Sequence, residues 1–242
     1  MAPDCLNLQI VHGMPALAPA DLSVPRGSVR AWLFRFVDDE SLQARLLPLL
    51  SGDEHVRAQA FVVSSARNQY VQTRAVLRML LGLVLDRPPG SLVLDYGPYG
   101  KPSLRDHNDC CFNVAHSGDY ALLALSDGRQ LGVDIERQRD TSDLDALVRM
   151  VFSPNEMLAW AALPEVDRVA KFFSIWAAKE ALVKAIGRGL GLGIADLDVG
   201  GLPAPVPREG HRLSIDGFGA CRLLPLSAPP GYAAALALHE PA

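Results

Sequence analysis

Apolar and polar positions change period several times along the chain, and each change marks an element. Val29 to Phe36 (VRAWLFRF) is a near-continuous apolar run bounded by polar residues, which predicts a strand. Leu46 to Phe61 switches to a helical period with Ser51 or Asp53 as its N-cap. Ala66 to Leu85 continues that period as a longer helix, stopped by Arg87-Pro88-Pro89-Gly90. Ser91 to Tyr96 alternates as a strand, Gly97 to Pro102 is turn chemistry, and Phe112 to Ala115 is a short extended piece. Tyr120 to Ser126 and Gln130 to Glu136 read as two strands around an Asp127-Gly128 hairpin turn. Asp143 to Phe152 is helical, Ser153 with Glu156 is a capping box opening another helix, and Arg168 to Ile186 is a long amphipathic helix ended by the glycine-rich stretch 187–193. Asp196 to Val199, Arg212 to Ile215 and Tyr232 to Leu238 close the chain as strands. Residues 1–28, rich in Pro, Ala and Leu with little period, read as a lead-in that wraps the surface.

The same order of elements occurs twice. Leu50-Ser51 matches Phe152-Ser153, and a shift of 105 residues places Arg74 on Lys179, Leu77 on Leu182, Leu81 on Ile186, Gly82 on Gly187, Leu92 on Leu197 and Leu94 on Val199. The expected fold is therefore α+β, with two similar halves related by a pseudo-twofold and a ligand cleft between them. The expected division is residues 1–118 and 119–242, the second half carrying the acidic site residues described below.

Composition narrows the class. With 49% hydrophobic and 21% charged residues over 242, the chain has the makings of a sizeable core. A net charge of −4 disfavours a nucleic-acid partner. The longest apolar runs fall far short of the ~18 residues that span a bilayer, so no membrane association is expected. No secretory signal pattern opens the sequence, and its four cysteines lack C-x-x-C spacing, which points to reduced thiols in the cytoplasm and away from a zinc site.

Candidate chemistry centres on Gly132-Val133-Asp134-Ile135-Glu136. On a strand, Asp134 and Glu136 share one face while Val133 and Ile135 face apolar packing. Two such carboxylates are either a solvated strand end with Arg137 as surface partner, or ligands for a hard cation such as Mg²⁺. Trp176, Glu180 and Lys184 fall on one stripe of the last long helix. They form either an ordinary Glu-to-Lys pair or a third carboxylate and a cation beside the same site, with Arg188 close behind. His116-Ser117 lacks the glycine a nucleophile elbow needs. His116 is a loop histidine or a phosphate donor, Lys101 a turn lysine or a ligand contact, and Arg67, Arg74 and Arg78 line a basic groove or solvate their helix.

Taken together, Tyr99-Gly100-Lys101-Pro102, Phe112 to Gly118, Gly132 to Glu136, Phe152-Ser153 with Glu156, and Trp176 to Ala181 with Lys184 and Gly187 to Leu190 resemble, in order and spacing, the 4′-phosphopantetheinyl transferases, and specifically their large monomeric, Sfp-type subclass. The resemblance implies transfer of 4′-phosphopantetheine from coenzyme A to a serine of an apo acyl or peptidyl carrier protein, with release of 3′,5′-ADP. It implies Mg²⁺ on Asp134, Glu136 and Glu180, and Glu180 or a metal-bound water as the base, with Glu156 as a helper. Lys184 would contact the pyrophosphate, His116 the 3′-phosphate or a neighbouring phosphate, and Arg67 the 3′-phosphate. Lys101 would contact the adenosine end, with Ser117 available to bind a phosphate where Ala115 replaces the serine usual in the subclass. A monomer serving fatty-acid, polyketide or nonribosomal-peptide pathways is the expectation. The alternatives are a non-catalytic coenzyme A or carrier-binding module, and a Mg²⁺-dependent nucleotide phosphohydrolase.

Overall fold

A computed structural model describes the backbone of residues 8–12 and residues 28–187, 193–200 and 210–240. In chain order the elements are β1 (Leu8–His12), β2 (Val29–Arg35), α1 (Glu40–Leu46), α2 (Gly52–Gln59), α3 (Ser64–Leu85), β3 (Leu94–Tyr96), β4 (Pro102–Leu104), β5 (Cys110–Ser117), β6 (Tyr120–Asp127), β7 (Leu131–Arg137), α4 (Leu144–Val151), α5 (Pro154–Ala161), α6 (Glu165–Ile186), β8 (His211–Ile215), β9 (Gly219–Leu226) and β10 (Tyr232–Glu240). They form one sheet in the order β1-β2-β6-β5, a second in the order β7-β10-β9-β8, and a β3-β4 ribbon.

The apolar run of β2 has a simple cause: both of its faces are covered. Trp32 and Phe34 pack with Val76, Leu77, Leu80 and Leu81 of α3. Val29, Ala31 and Leu33 point the other way, meeting Leu131, Val133, Ile135, Leu236 and Leu238 of the second sheet. That sheet in turn lays Cys221, Leu223, Ala233, Ala235 and Ala237 on Phe172, Ile175, Ala178 and Leu182 of α6. The layers therefore run α3, first sheet, second sheet, α6. Among the described residues no helix is long and apolar enough to cross a membrane.

Four readings from sequence need correction. The strand Tyr120–Asp127 does not open a second half; it is paired between β2 and β5, so a division after residue 118 would cut the tight β5-β6 hairpin. Asp127-Gly128 links the two sheets and makes no hairpin, because β7 pairs with β10. Asp196 to Val199, expected as a strand, form none: residues 194–196 are a short 3₁₀ turn and 197–199 carry no regular structure, and β9 was missed. Within the lead-in, residues 8–12 form a strand parallel to β2 at the sheet edge.

Both capping boxes form, and each places a glutamate in the interior. Glu54, held by the Ser51 amide, receives Arg74 and Arg78 from α3, each at 2.5 Å. Burial works against the Glu54 carboxylate, but the two arginines outweigh it and hold its pKa below the ordinary value. Arg74 and Arg78 are thus buried partners of one carboxylate and line no groove. Glu156 repeats the arrangement with Lys179 of α6 at 2.6 Å.

The sheets meet at their edge strands, β5 and β7, where side chains replace a backbone ladder. Buried Asn113 on β5 accepts the outward Val133 N–H at 2.9 Å. Asn113→Ala leaves that amide without a partner, and chemical denaturation should show a loss of about 1–3 kcal/mol. An unchanged midpoint would mean that the bridge is not structural.

Candidate active site

The alternation expected on β7 is realised. Leu131, Val133 and Ile135 enter the apolar layer between the sheets, and Gly132, Asp134 and Glu136 face α6. At Gly132 any Cβ would collide with the backbone of Ala181 and Ala185, so the glycine lets the helix rest directly on the strand. Glu180 and Lys184, one turn apart on that helix, consequently reach the strand's carboxylates.

Asp134 is 4% exposed. Its Oδ1 holds the Lys184 ammonium at 2.6 Å, while its Oδ2 is buried with no hydrogen-bond partner. Glu180 Oε1 is orphaned in the same way, so the expected Glu-to-Lys pair along the helix gives way to a pair between helix and strand. Burial raises Asp134 to about 7 against the pull of Lys184, with the charges of Glu136 and Glu180 adding to the rise. Burial, then the charge of Glu136, also raises Glu180. Glu136 is the satisfied member of the three. Trp176 Nε1 donates to its Oε1 at 2.9 Å and Ser117 Oγ to its Oε2 at 3.0 Å.

Asp134, Glu136, Glu180 and Lys184 are therefore brought together, and Ser117 joins them through Glu136. Ser117 also accepts the Arg137 N–H, another outward group of the β7 edge. His116 is exposed at the end of β5, its ring edge-to-face with Phe36. Desolvation and then the Lys184 charge lower its pKa. Lys101 donates to Lys184 O, Leu131 O and Gln130 Oε1, tying the turn before β4 to α6 and β7. Burial lowers its pKa to about 8. Arg67 is exposed in the first turn of α3.

Glu156 belongs elsewhere. It is 1% exposed, with Oε2 on Lys179 and the Ser153 amide and Oε1 on the Val199 amide, so both its oxygens are engaged in the fold and it is not brought together with Asp134, Glu136 and Glu180. Ala115 lies between Asn113 and Ser117 on the same face of β5 and packs in the apolar layer with Val133 and Ile135. Arg188, Gly189 and Leu190 fall outside the described residues. Sequence reasoning missed Asn113 and gave Trp176 no role. The only signal for Trp176 was its place on the stripe with Glu180 and Lys184.

Lys101, Asn113, Glu180 and Lys184 line a cavity of about 460 Å³. A second pocket of about 350 Å³ adjoins it at Lys101, Pro102 and Gly187. Among the described residues no group of three or more His, Cys, Asp or Glu side chains is arranged to hold a metal ion. Two buried carboxylate oxygens without partners suit a different arrangement: a hard cation that takes one or two protein carboxylates and completes its shell with water and substrate oxygens.

A family model described as the 4′-phosphopantetheinyl transferase superfamily matches residues 130–237, which include β7 and α6. The chain is 36% identical over 175 residues to the 4′-phosphopantetheinyl transferase HetI of Nostoc sp., covering 71% of this chain and 74% of that one. It is 27% identical over 207 residues to Sfp of Bacillus subtilis, covering 79% and 88%. It is 33% identical over 153 residues to AcpT of Salmonella typhimurium, covering 63% and 77%. With this similarity running through the strand and helix that carry the paired carboxylates and Lys184, the chain belongs to the 4′-phosphopantetheinyl transferase family.

Proposed function

We propose that the protein transfers 4′-phosphopantetheine from coenzyme A to the serine hydroxyl of an apo acyl or peptidyl carrier protein, releasing 3′,5′-ADP. The observation that carries this reading is the pair of orphaned buried oxygens, Asp134 Oδ2 and Glu180 Oε1, set beside Lys184 at a cavity. Paired elements from the two halves support a pseudo-twofold with its cleft here: Ser51-Glu54 with Arg74 is matched by Ser153-Glu156 with Lys179.

Asp134 and Glu180 would hold Mg²⁺, with Glu136 as an adjacent third carboxylate. When bound, the metal would neutralise the diphosphate and stabilise the charge that develops on the leaving group. The chain's own groups do the rest. Lys184 supplies a positive charge for the diphosphate, and His116, exposed at the end of β5, would receive a further phosphate. Glu180, made more basic by burial and by Glu136, takes the serine proton as the serine oxygen bonds to phosphorus and the bond to 3′,5′-ADP breaks. Trp176 and Ser117 fix the orientation of Glu136, and Lys101 fixes the turn that borders both pockets.

The deciding assay is intact-mass spectrometry of an apo carrier incubated with the protein, coenzyme A and Mg²⁺. A carrier heavier by one phosphopantetheine, and unmodified when chelator is present, supports the reading. Carriers left unmodified while coenzyme A binds would favour a binding module. Release of 3′,5′-ADP without a carrier would favour a hydrolase.

The buried Asp134 adds a pH dependence of known sign. A proton on Asp134 excludes a cation, so metal affinity rises with pH up to about 7 and levels off above it. Calorimetric titration with Mg²⁺ should show affinity falling by about tenfold per unit below that point, with proton uptake by buffer. A flat profile from pH 5 to 8 would remove Asp134 from the metal site.

A further inference from the structure

Lys184 is the cation that the fold places on Asp134. Its ammonium sits on Asp134 Oδ1, with Val133 O as a second acceptor at 3.3 Å. The other oxygen of the same carboxylate has no partner. The two partners differ in freedom: the Lys184 side chain is 28% exposed and lines the cavity, whereas that of Asp134 is 6% exposed. The lysine has a way out that the aspartate lacks.

From this we infer that Lys184 is a stand-in for the metal: it neutralises Asp134 until a divalent cation arrives, and cation binding drives the ammonium off the carboxylate into the cavity, where a phosphate receives it. The inference rests on the metal site proposed above and adds an order of events. In the metal-free protein the lysine is withheld from phosphate, and it becomes available when the metal is in place.

The physical argument is one of charge at close quarters. A divalent cation on one oxygen of Asp134 and an ammonium on the other would be two positive centres sharing a single buried negative charge, with little solvent between them to screen the repulsion. Of the two, the ammonium is the one on a flexible stem. An exchange of counter-ions also avoids a stage in which a buried carboxylate is left bare, which is the costly state for an interior charge. Glu180, four residues before Lys184, could have been that counter-ion along the helix. The lysine instead crosses to the strand and leaves the glutamate oxygen open.

The test uses the wild-type full chain at pH 8 with Mn²⁺ alone as the probe. Mn²⁺ binding is followed by water-proton relaxation. In parallel, the rate of Lys184 acetylation by acetic anhydride is read by peptide mass spectrometry, with Lys171 as internal reference. Lys184 labelling should rise severalfold over the concentration range in which Mn²⁺ binds, while Lys171 labelling stays level. Lys184→Gln, which keeps the carboxylate oxygens and lacks the ammonium, is the control in which Mn²⁺ binding is read with no lysine to displace. If Mn²⁺ saturates the wild type while Lys184 labelling stays flat or falls, the exchange is overturned and the metal site stands. If Mn²⁺ binds neither protein, the metal site itself fails and the exchange falls with it.

Discussion

Gly132→Ala is expected to destabilise the protein by about 3 kcal/mol or more and to abolish carrier modification in whatever fraction stays folded. The cause is steric. The new methyl group would occupy space held by the carbonyl of Ala181 and the amide of Ala185, and backbone of a packed helix cannot step aside as a flexible side chain can. Relief requires α6 to lift from β7. That movement separates Glu180 and Lys184 from Asp134, so stability and metal affinity should fall together. Gly52→Ala is the control, because a Cβ there meets nothing within 4 Å and the residue opens a helix. Chemical denaturation of both variants decides the matter. A Gly132→Ala protein of wild-type stability would show that the strand and helix are less tightly seated than described.

Glu180→Gln is expected to lower carrier modification by about a hundredfold or more while leaving the fold at least as stable. The two effects have opposite signs for one reason. A half-buried carboxylate with one buried oxygen that nothing satisfies is a cost to the folded state and an asset to catalysis, and the amide removes both the charge and the base. Because burial and the charge of Glu136 raise the Glu180 pKa, the folded protein holds this proton more firmly than the unfolded chain does. The cost of its ionised form therefore appears as pH rises through the folded value. The gain in melting temperature for Glu180→Gln over wild type should be larger at pH 8 than at pH 5. Full carrier modification by Glu180→Gln would take the base role away from this residue.

Local chemistry was readable from sequence wherever it depended on period or capping. The D-x-E alternation on β7, Ser51 as a helix N-cap, the Ser153-to-Glu156 box, and the shared stripe of Trp176, Glu180 and Lys184 all take the form their spacing predicts. Long-range pairing was not readable. β7 joins β10, nearly a hundred residues later, and nothing in either segment records that choice. β9 escaped notice because Arg222 and Pro225 interrupt its pattern. The edge of β7 was hidden for another reason. Lys101 and Ser117 both bond to it, a polar role that no motif announces and that stands beside the ligand contacts expected of them. Shifting by the 105-residue repeat puts Glu180 on Ala75 and Lys184 on Met79, both buried against α1 and α2. The first half thus uses for packing the helix face that the second uses for chemistry.

The apolar layer between the sheets has a consequence for how the chain can be divided. Neither sheet has a finished surface on its inner side: among the described residues, Val29, Ala31 and Leu33 on one pack against Leu131, Val133, Ile135, Leu236 and Leu238 on the other. A gene split between Asp127 and Leu131 would encode two fragments, each carrying a wide adhesive face. Produced alone, they would precipitate or cling to chaperones; produced together, they would find each other as a heterodimer. The association energy would be what the intact chain uses as its core, so a severed linker makes this molecule an obligate pair.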